Sequence, residues 1–175
     1  MTSSSALRNA APADAAAIAA IYNHYVATTT VSMETDPVSA DEMAQRIAGI
    51  QAEGLPWLVL VADGRLCGYA YASKWRARPG YRHAVESSVY LDPALRGRGH
   101  GRELYHALLA RLEGRFHTVI GGIALPNAAS IALHERLGFR QVACFHEVGR
   151  KFGAWVDVAY WQLSLPGLHA DQMPD

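Results

Sequence analysis

The sequence predicts a mixed α/β layered domain: a central sheet of about six to seven strands, mostly antiparallel, flanked by about four helices. Three observations carry that prediction. Short apolar runs such as WLVLVA stop at turn residues, as buried strands do. Other stretches repeat their apolar residues every three to four positions and begin or end at capping residues, as amphipathic helices do. Finally, 175 residues of which 50% are apolar can bury one full core without cross-links, so the chain reads as a single domain over 1–175, with ends frayed at about 1–5 and 167–175.

The elements follow in order. Ala6 to Asn9 reads as a short strand, and Pro12 and Asp14 open a helix over about Ala13 to Ala27, with Ile18, Ile21, Tyr22, Tyr25 and Val26 on one face. TTTVSMETDP is neither a good helix nor a clean strand and reads as a loop. Ser39 with Glu42 forms a capping box for a second helix, faced by Met43, Ile47 and Ile50 and stopped by Gly54. Trp57 to Ala62 is a buried strand, and Asp63-Gly64 turns it into the strand RLCGYAYASKW. RARPGYRH is a charged loop. Ala84 to Leu91 is again strand-like, although Glu86, Ser87 and Ser88 interrupt it. A third helix runs from about Gly101 to Glu113, a strand follows at HTVIGGIA, a fourth helix spans about Ala128 to Leu137, and two strands close the order β-α-α-β-β-β-α-β-α-β-β.

Sixteen basic and sixteen acidic residues leave no net charge, so no bulk field recommends nucleic acid or an anionic membrane as a partner. No run approaches a membrane span, and the N-terminal segment lacks the pattern of a secretory leader. Cys67 and Cys144 sit far apart in strand-like runs without metal-ligand spacing, so free thiols, no metal and a reducing cytoplasm are expected.

The segment LRGRGHGREL places three glycines and three arginines directly before a helix, a pattern suited to holding phosphate. No Gly-Lys-Ser/Thr exists for a P-loop, and Gly97, Gly99 and Gly101 do not make the GxGxxG of a dinucleotide fold. Arg96, Gly99 and Gly101, between a strand and a helix, match the signature of the GNAT superfamily of N-acetyltransferases. About thirty residues on, Asn127, Ser130, Leu137, Gly138 and Phe139 fill that family's second signature, and the resemblance covers roughly Leu7 to Leu165. It implies the acyl-CoA N-acyltransferase fold and acetyl-CoA as cosubstrate. The run Arg96, Gly97, Arg98, Gly99, His100, Gly101 and Arg102 would then hold the pyrophosphate through backbone amides, the helix N-terminus and charge-assisted bonds.

Within the superfamily, IYNHYV with TTTVSMETDP, GYAYASKWRARPGYRHAVESSVYLD, NAASIALHERLGF and VGRKFGAWVDVAYWQLSL resemble the phosphinothricin and methionine sulfoximine N-acetyltransferases. An ammonium cannot attack a thioester until it loses a proton, so a base is needed. Glu86 interrupts an apolar strand, and the related enzymes carry a Glu at this VES position; it is the candidate base, acting through a water, with a solvated strand Glu as the alternative. Val89, Tyr90 and Leu91 resemble the segment whose backbone pairs with the pantetheine arm, the Val89 N–H facing the thioester oxygen. Asn127 and Ser130 are expected to contact the coenzyme, or else merely to cap a helix. His134 stands where many members carry a Tyr that protonates the thiolate, and either proton donation or simple contact is open to it.

On the acceptor side, the resemblance makes Arg76, Ala77 and Arg78 a substrate loop, with one arginine clamping a carboxylate or phosphinate. Ser87 and Ser88 adjoin the reacting centre. Met33 replaces a bulky aromatic of the related sequences in a segment lining the acceptor pocket. The implied acceptor is a small amino-acid-like molecule of the methionine sulfoximine, methionine sulfone or phosphinothricin type. Another small amine, a protein N-terminus, or a catalytically silent CoA-binding sensor are the rival readings. Lys151, Phe152, Trp155, Asp157 and Trp161 resemble C-terminal strands that help form a homodimer, with core or hairpin packing as the alternative.

Overall fold

The computed structural model describes residues 5–168. The elements are β1 (Ser5–Asn9), α1 (Ala15–Thr28), α2 (Ala40–Ala52), β2 (Trp57–Ala62), β3 (Arg65–Lys74), β4 (Ala84–Leu91), α3 (His100–Leu112), β5 (Thr118–Ala124), α4 (Ala128–Arg136), β6 (Arg140–Lys151) and β7 (Ala154–Ser164). The expected frayed ends fall largely at 1–4 and 169–175, outside the described residues; Ser5 itself pairs with Ala62.

The strands form one sheet in the order β1-β2-β3-β4-β5-β7-β6, antiparallel except where β4 lies parallel to β5. Alternation along the buried strands sorts the core into two layers. Leu58 and Leu60 face α3 with Leu104, Tyr105 and Leu108, whereas Trp57, Val59 and Tyr69 face α1 and α2 with Ile18, Tyr22, Met43 and Ile47.

Local chemistry sets most boundaries. The Ser39 hydroxyl accepts the Glu42 amide (3.1 Å) to start α2. Asp63 and Gly64 both take the left-handed conformation that a two-residue hairpin turn requires. At α1 the expected start differs: Pro12–Asp14 forms a short 3-10 turn, and Asp14 accepts the Ala11 amide (2.7 Å) and pairs with Arg8 rather than capping the helix.

The irregular stretch between α1 and α2 is tied down by polar contacts. Asn23 exchanges two hydrogen bonds with the Val38 backbone (2.8 Å each), Tyr22 meets Ser32 (2.8 Å) and Glu34 (2.9 Å), and Arg46 donates to Glu34 (2.6 Å). From the far side, buried Lys151 donates to the Ser32 carbonyl (2.6 Å). Lys151 and Trp161 are thus interior groups rather than surface ones, while Phe152 and Trp155 stand exposed.

At Gly68 of β3 there is no room for a side chain against β4. A Cβ there would meet the Tyr90 carbonyl oxygen at 2.6 Å and Leu91 Cδ2 at 2.7 Å, whereas one at Gly49 meets nothing within 4 Å. Gly68→Ala should lose about 1–3 kcal/mol in urea unfolding. Gly49→Ala should be neutral or gain up to about 1 kcal/mol, because a helical glycine is replaced in open space.

Candidate active site

The sheet opens at one place. β4 and β5 pair only from Ala84 with Thr118 to Glu86 with Ile120. Beyond that point β4 pairs with β3 alone and β5 with β7 alone. The resulting cleft is lined by Ser87, Ser88, Val89 and Tyr90 on one side and by Gly122, Ile123 and Ala124 on the other, with Asn127, Ser130 and His134 of the α4 segment and Val31. The edge of β4 freed by this parting can take a hydrogen-bonded extended arm.

Glu86 occupies the last paired position, half-buried. Burial raises its carboxyl above the ordinary value, against the pull of the Arg76 guanidinium. The Gly122 backbone lies close by: a Cβ there would meet Glu86 Oε1 at 3.3 Å and the Tyr160 ring at 3.2 Å. Tyr160 also meets Trp75 edge-on (5.5 Å between ring centroids), and Arg76 covers the Trp75 ring (4.6 Å). All three residues of the candidate loop, Arg76, Ala77 and Arg78, are exposed, and of the two arginines Arg76 is the one whose charge Glu86 feels. Met33 packs against Gly149 of β6.

Ser87 and Ser88, though adjacent, serve opposite faces. Ser88 shares the Glu86 face, and its bond with Tyr71 counters the effect of burial on that phenol. Ser87 is buried on the α3 side, 2.6 Å from the Tyr105 hydroxyl and 3.3 Å from the Ile120 carbonyl. Tyr105 continues to His134 Nε2 (2.9 Å), and His134 Nδ1 meets the Ser130 carbonyl (2.8 Å). A carbonyl only accepts, so the imidazole proton sits on Nδ1 and Nε2 accepts from Tyr105. Burial lowers the His134 pKa, against the Ser130 carbonyl bond, and keeps the ring neutral at pH 7. The His134 ring fills the space where Gly121 has no side chain.

The glycine loop follows the Leu91 end of β4. Gly97 and Gly99 are left-handed with open space around them, and Gly99 begins α3 with no side-chain cap. The first amides of α3 are thereby available to an anion. Gly101 lets the helix approach the side chains of Leu91 and Leu133. Arg98 and Arg102 are exposed, and His100 lies 3.8 Å from Glu103. Arg96 stacks over Tyr25 (5.1 Å), whose hydroxyl donates to the Leu91 carbonyl (2.6 Å). Asn127 caps α4 by accepting the Ser130 amide (3.2 Å) while also lining the cleft. A cleft with a free strand edge, ending at an uncapped helix N-terminus among glycines and arginines, fits an extended pantetheine with its phosphates.

A family model for the acetyltransferase (GNAT) domain matches residues 7–160. This chain belongs to the GNAT acetyltransferase family. It is 44% identical over 154 residues to a phosphinothricin N-acetyltransferase of Alcaligenes faecalis, covering 87% of this chain and 78% of that protein. It is 42% identical over 161 residues to an L-methionine sulfoximine/L-methionine sulfone acetyltransferase of Salmonella typhimurium, covering 91% and 94%. In three dimensions it matches a GNAT phosphinothricin acetyltransferase from Sinorhizobium meliloti, solved in complex with acetyl-CoA, at a TM-score of 0.91 and 38% identity over 100% of this chain and 94% of that one.

Several residues of this GNAT site escaped the reading of the sequence. Tyr105 reads as one apolar position of a helical stripe, and nothing local reveals that its hydroxyl joins Ser87 to His134. Trp75, just past the end of β3, and Tyr160, in β7, come from segments distant in sequence. The paired glycines 121 and 122 were the available signal: two adjacent glycines within a strand suggest close approach on both faces.

His134 generates a pH test. The unfolded chain protonates it near 6.5, while the folded site takes up that proton only at lower pH. The unfolded state then binds more protons as pH falls below about 6.5, and stability declines. Urea midpoints at about pH 7.5 and about pH 5.5 should show this loss, and His134→Gln should show a smaller one.

Proposed function

We propose that this protein transfers the acetyl group of acetyl-CoA to the α-amino group of a small amino-acid-like acceptor of the methionine sulfoximine, methionine sulfone or phosphinothricin type, with Glu86 as general base acting through a water. The observation that carries this reading is the half-buried Glu86 carboxylate, raised in pKa, at the point where β4 and β5 part and beside the Arg76 guanidinium. The activities named for the relatives support the acceptor class.

Bound acetyl-CoA supplies an activated acetyl thioester. Gly97, Gly99 and the first amides of α3 hold its phosphates, with Arg98 and Arg102 adding charge, and the free edge of β4 from Val89 to Leu91 binds its arm. The Val89 N–H faces the acyl oxygen, where charge develops. Arg76 takes the acceptor's acid group and so brings its amine toward Glu86, which removes the ammonium proton through a water; the freed amine attacks the thioester carbonyl, the C–S bond breaks, and the thiolate of CoA leaves and takes a proton from solvent. Trp75, Tyr160, Ser88 and Met33 border the acceptor. For His134 the hydrogen bonds support a positioning role rather than thiolate protonation, because Nε2 is an acceptor and Nδ1–H is held by Ser130. Exposed Val142, Phe145, Val148, Phe152 and Trp155 along β6 and β7 support a homodimer joined through this hairpin.

Thiol release from acetyl-CoA, measured across amino-acid analogues, simple amines and peptides, tests the reading. Glu86→Gln should lower kcat by about a hundredfold or more and remove the acidic limb of the pH profile, whose midpoint lies above the ordinary carboxylate value. Arg76→Ala should raise the acceptor KM well beyond the effect of Arg78→Ala. Unchanged kcat in Glu86→Gln removes the base, and turnover confined to peptides or simple amines removes the acceptor class.

A further inference from the structure

The β6–β7 hairpin holds a cluster that the acetyl-transfer reading does not use. Between Phe145 and Gly149 the ladder slips, so that β6 runs four steps from 145 to 149 while β7 runs two from Val158 to Val156. Bulges of this kind re-aim side chains. Glu147, within the slip, takes a left-handed φ of 52°, a conformation a glutamate adopts only when its surroundings hold it there. Its amide donates to Asp157 Oδ1 (2.8 Å), which turns the other carboxylate oxygen, Oδ2, toward His146 Nδ1 at 2.9 Å. Cys144, two residues before His146, completes the group. One ligand atom from each of Cys144, His146 and Asp157 lies within 4.8 Å of the other two.

A thiol, an imidazole and a carboxylate form a donor set for zinc or a similar borderline cation, and the sulfur makes it a poor one for calcium or magnesium. Zinc–ligand bonds of about 2.0–2.3 Å put tetrahedral ligand atoms roughly 3.3–3.6 Å apart. His146 and Asp157 already lie closer than that, and the largely exposed His146 side chain is free to adjust. The carboxylate is oriented from behind by the Glu147 amide, the type of outer-shell support that metal ligands commonly have.

We propose that Cys144, His146 and Asp157 form a site for a zinc-class divalent cation, with the fourth position open to water. On binding, the Cys144 S–H proton leaves to solvent and a sulfur–metal bond forms. The His146 Nδ1 proton, which the Asp157 carboxylate accepts in the metal-free site, leaves to solvent as Nε2 takes one up, so that the neutral imidazole ligates through Nδ1 and the carboxylate, released from that bond, ligates through Oδ2. No oxidant or reductant takes part. The metal pins the bulge of β6 to β7. Its effect reaches the cleft through Asp157, whose carbonyl accepts the Leu125 amide (2.9 Å) directly after Ala124 of the cleft wall.

The full-length protein, stripped with chelator, is titrated with zinc chloride by calorimetry and separately with cobalt chloride in a spectrophotometer. Expected are one equivalent per chain, a near-ultraviolet thiolate-to-cobalt band with visible bands of tetrahedral intensity, and slower alkylation of Cys144 in the zinc form. Cys144→Ser should abolish the thiolate band, and His146→Ala, an exposed position, should weaken binding by about tenfold or more. Asp157→Asn also loosens the bulge, so those two variants decide. The proposal is overturned if the wild type binds neither metal at micromolar concentration, or if binding and spectra are unchanged in both Cys144→Ser and His146→Ala. These readouts are independent of acetyl transfer and stand apart from failure of the proposed activity.

Discussion

The parallel pairing of β4 with β5, and its end at Glu86 and Ile120, is the constraint on which the rest of the molecule depends. Parallel neighbours cannot be joined by a tight turn, so α3 must cross over between them, and its start falls beside the end of β4. That connection places the glycine loop at the mouth of the cleft. The parting of the strands frees a backbone edge, and Glu86 sits at the hinge with its carboxylate toward Gly122 and the Tyr160 ring. The open cleft, the position of Glu86 and the placement of the glycine loop follow from one interrupted ladder.

Two adjacent glycines make the interruption habitable. Gly121 yields its side-chain space to the His134 ring, and Gly122 lies against Glu86 and Tyr160 on the opposite face. On the His134 side a buried polar chain runs from Ser87 through Tyr105 to the imidazole and the Ser130 carbonyl, each member satisfied by the next. Such a chain is favourable only when complete, because an unpaired member in so dry a place costs about 1–3 kcal/mol. It braces α3 and α4 against the ends of β4 and β5, where the ladder no longer does so.

The segment between α1 and α2 is held differently, by ion pairs and buried polar contacts. Glu34 accepts from Arg46 and Tyr22, and Lys151 reaches across from the hairpin to the Ser32 carbonyl. The stretch carrying Met33 is therefore fixed on both sides although it contains no helix or strand. The hairpin that supplies Lys151 also carries the Cys144, His146 and Asp157 cluster and the exposed apolar row, so ordering of β6 and β7 bears directly on the segment carrying Ser32 and Met33.

Element identity was legible in the sequence because it rests on short-range chemistry: Ser39 capping Glu42, Asp63-Gly64 turning a hairpin, Gly114 and Gly138 ending helices. The glycine loop and Glu86 were legible because their residue types stand out against a strand or a helix start. Tyr105, Trp75 and Tyr160 were not, since each reads as an ordinary core residue until the sheet order places it. The same holds for Asp157, which meets His146 only across a hairpin whose bulge no local pattern reveals. The sequence by itself determined the elements, their order and the glycine loop between β4 and α3, all of which depend on neighbours a few positions away. Only the tertiary structure decided which arginine faces Glu86, that His134 is an acceptor, and which distant side chains share a site, because those depend on register and on the parting of two strands.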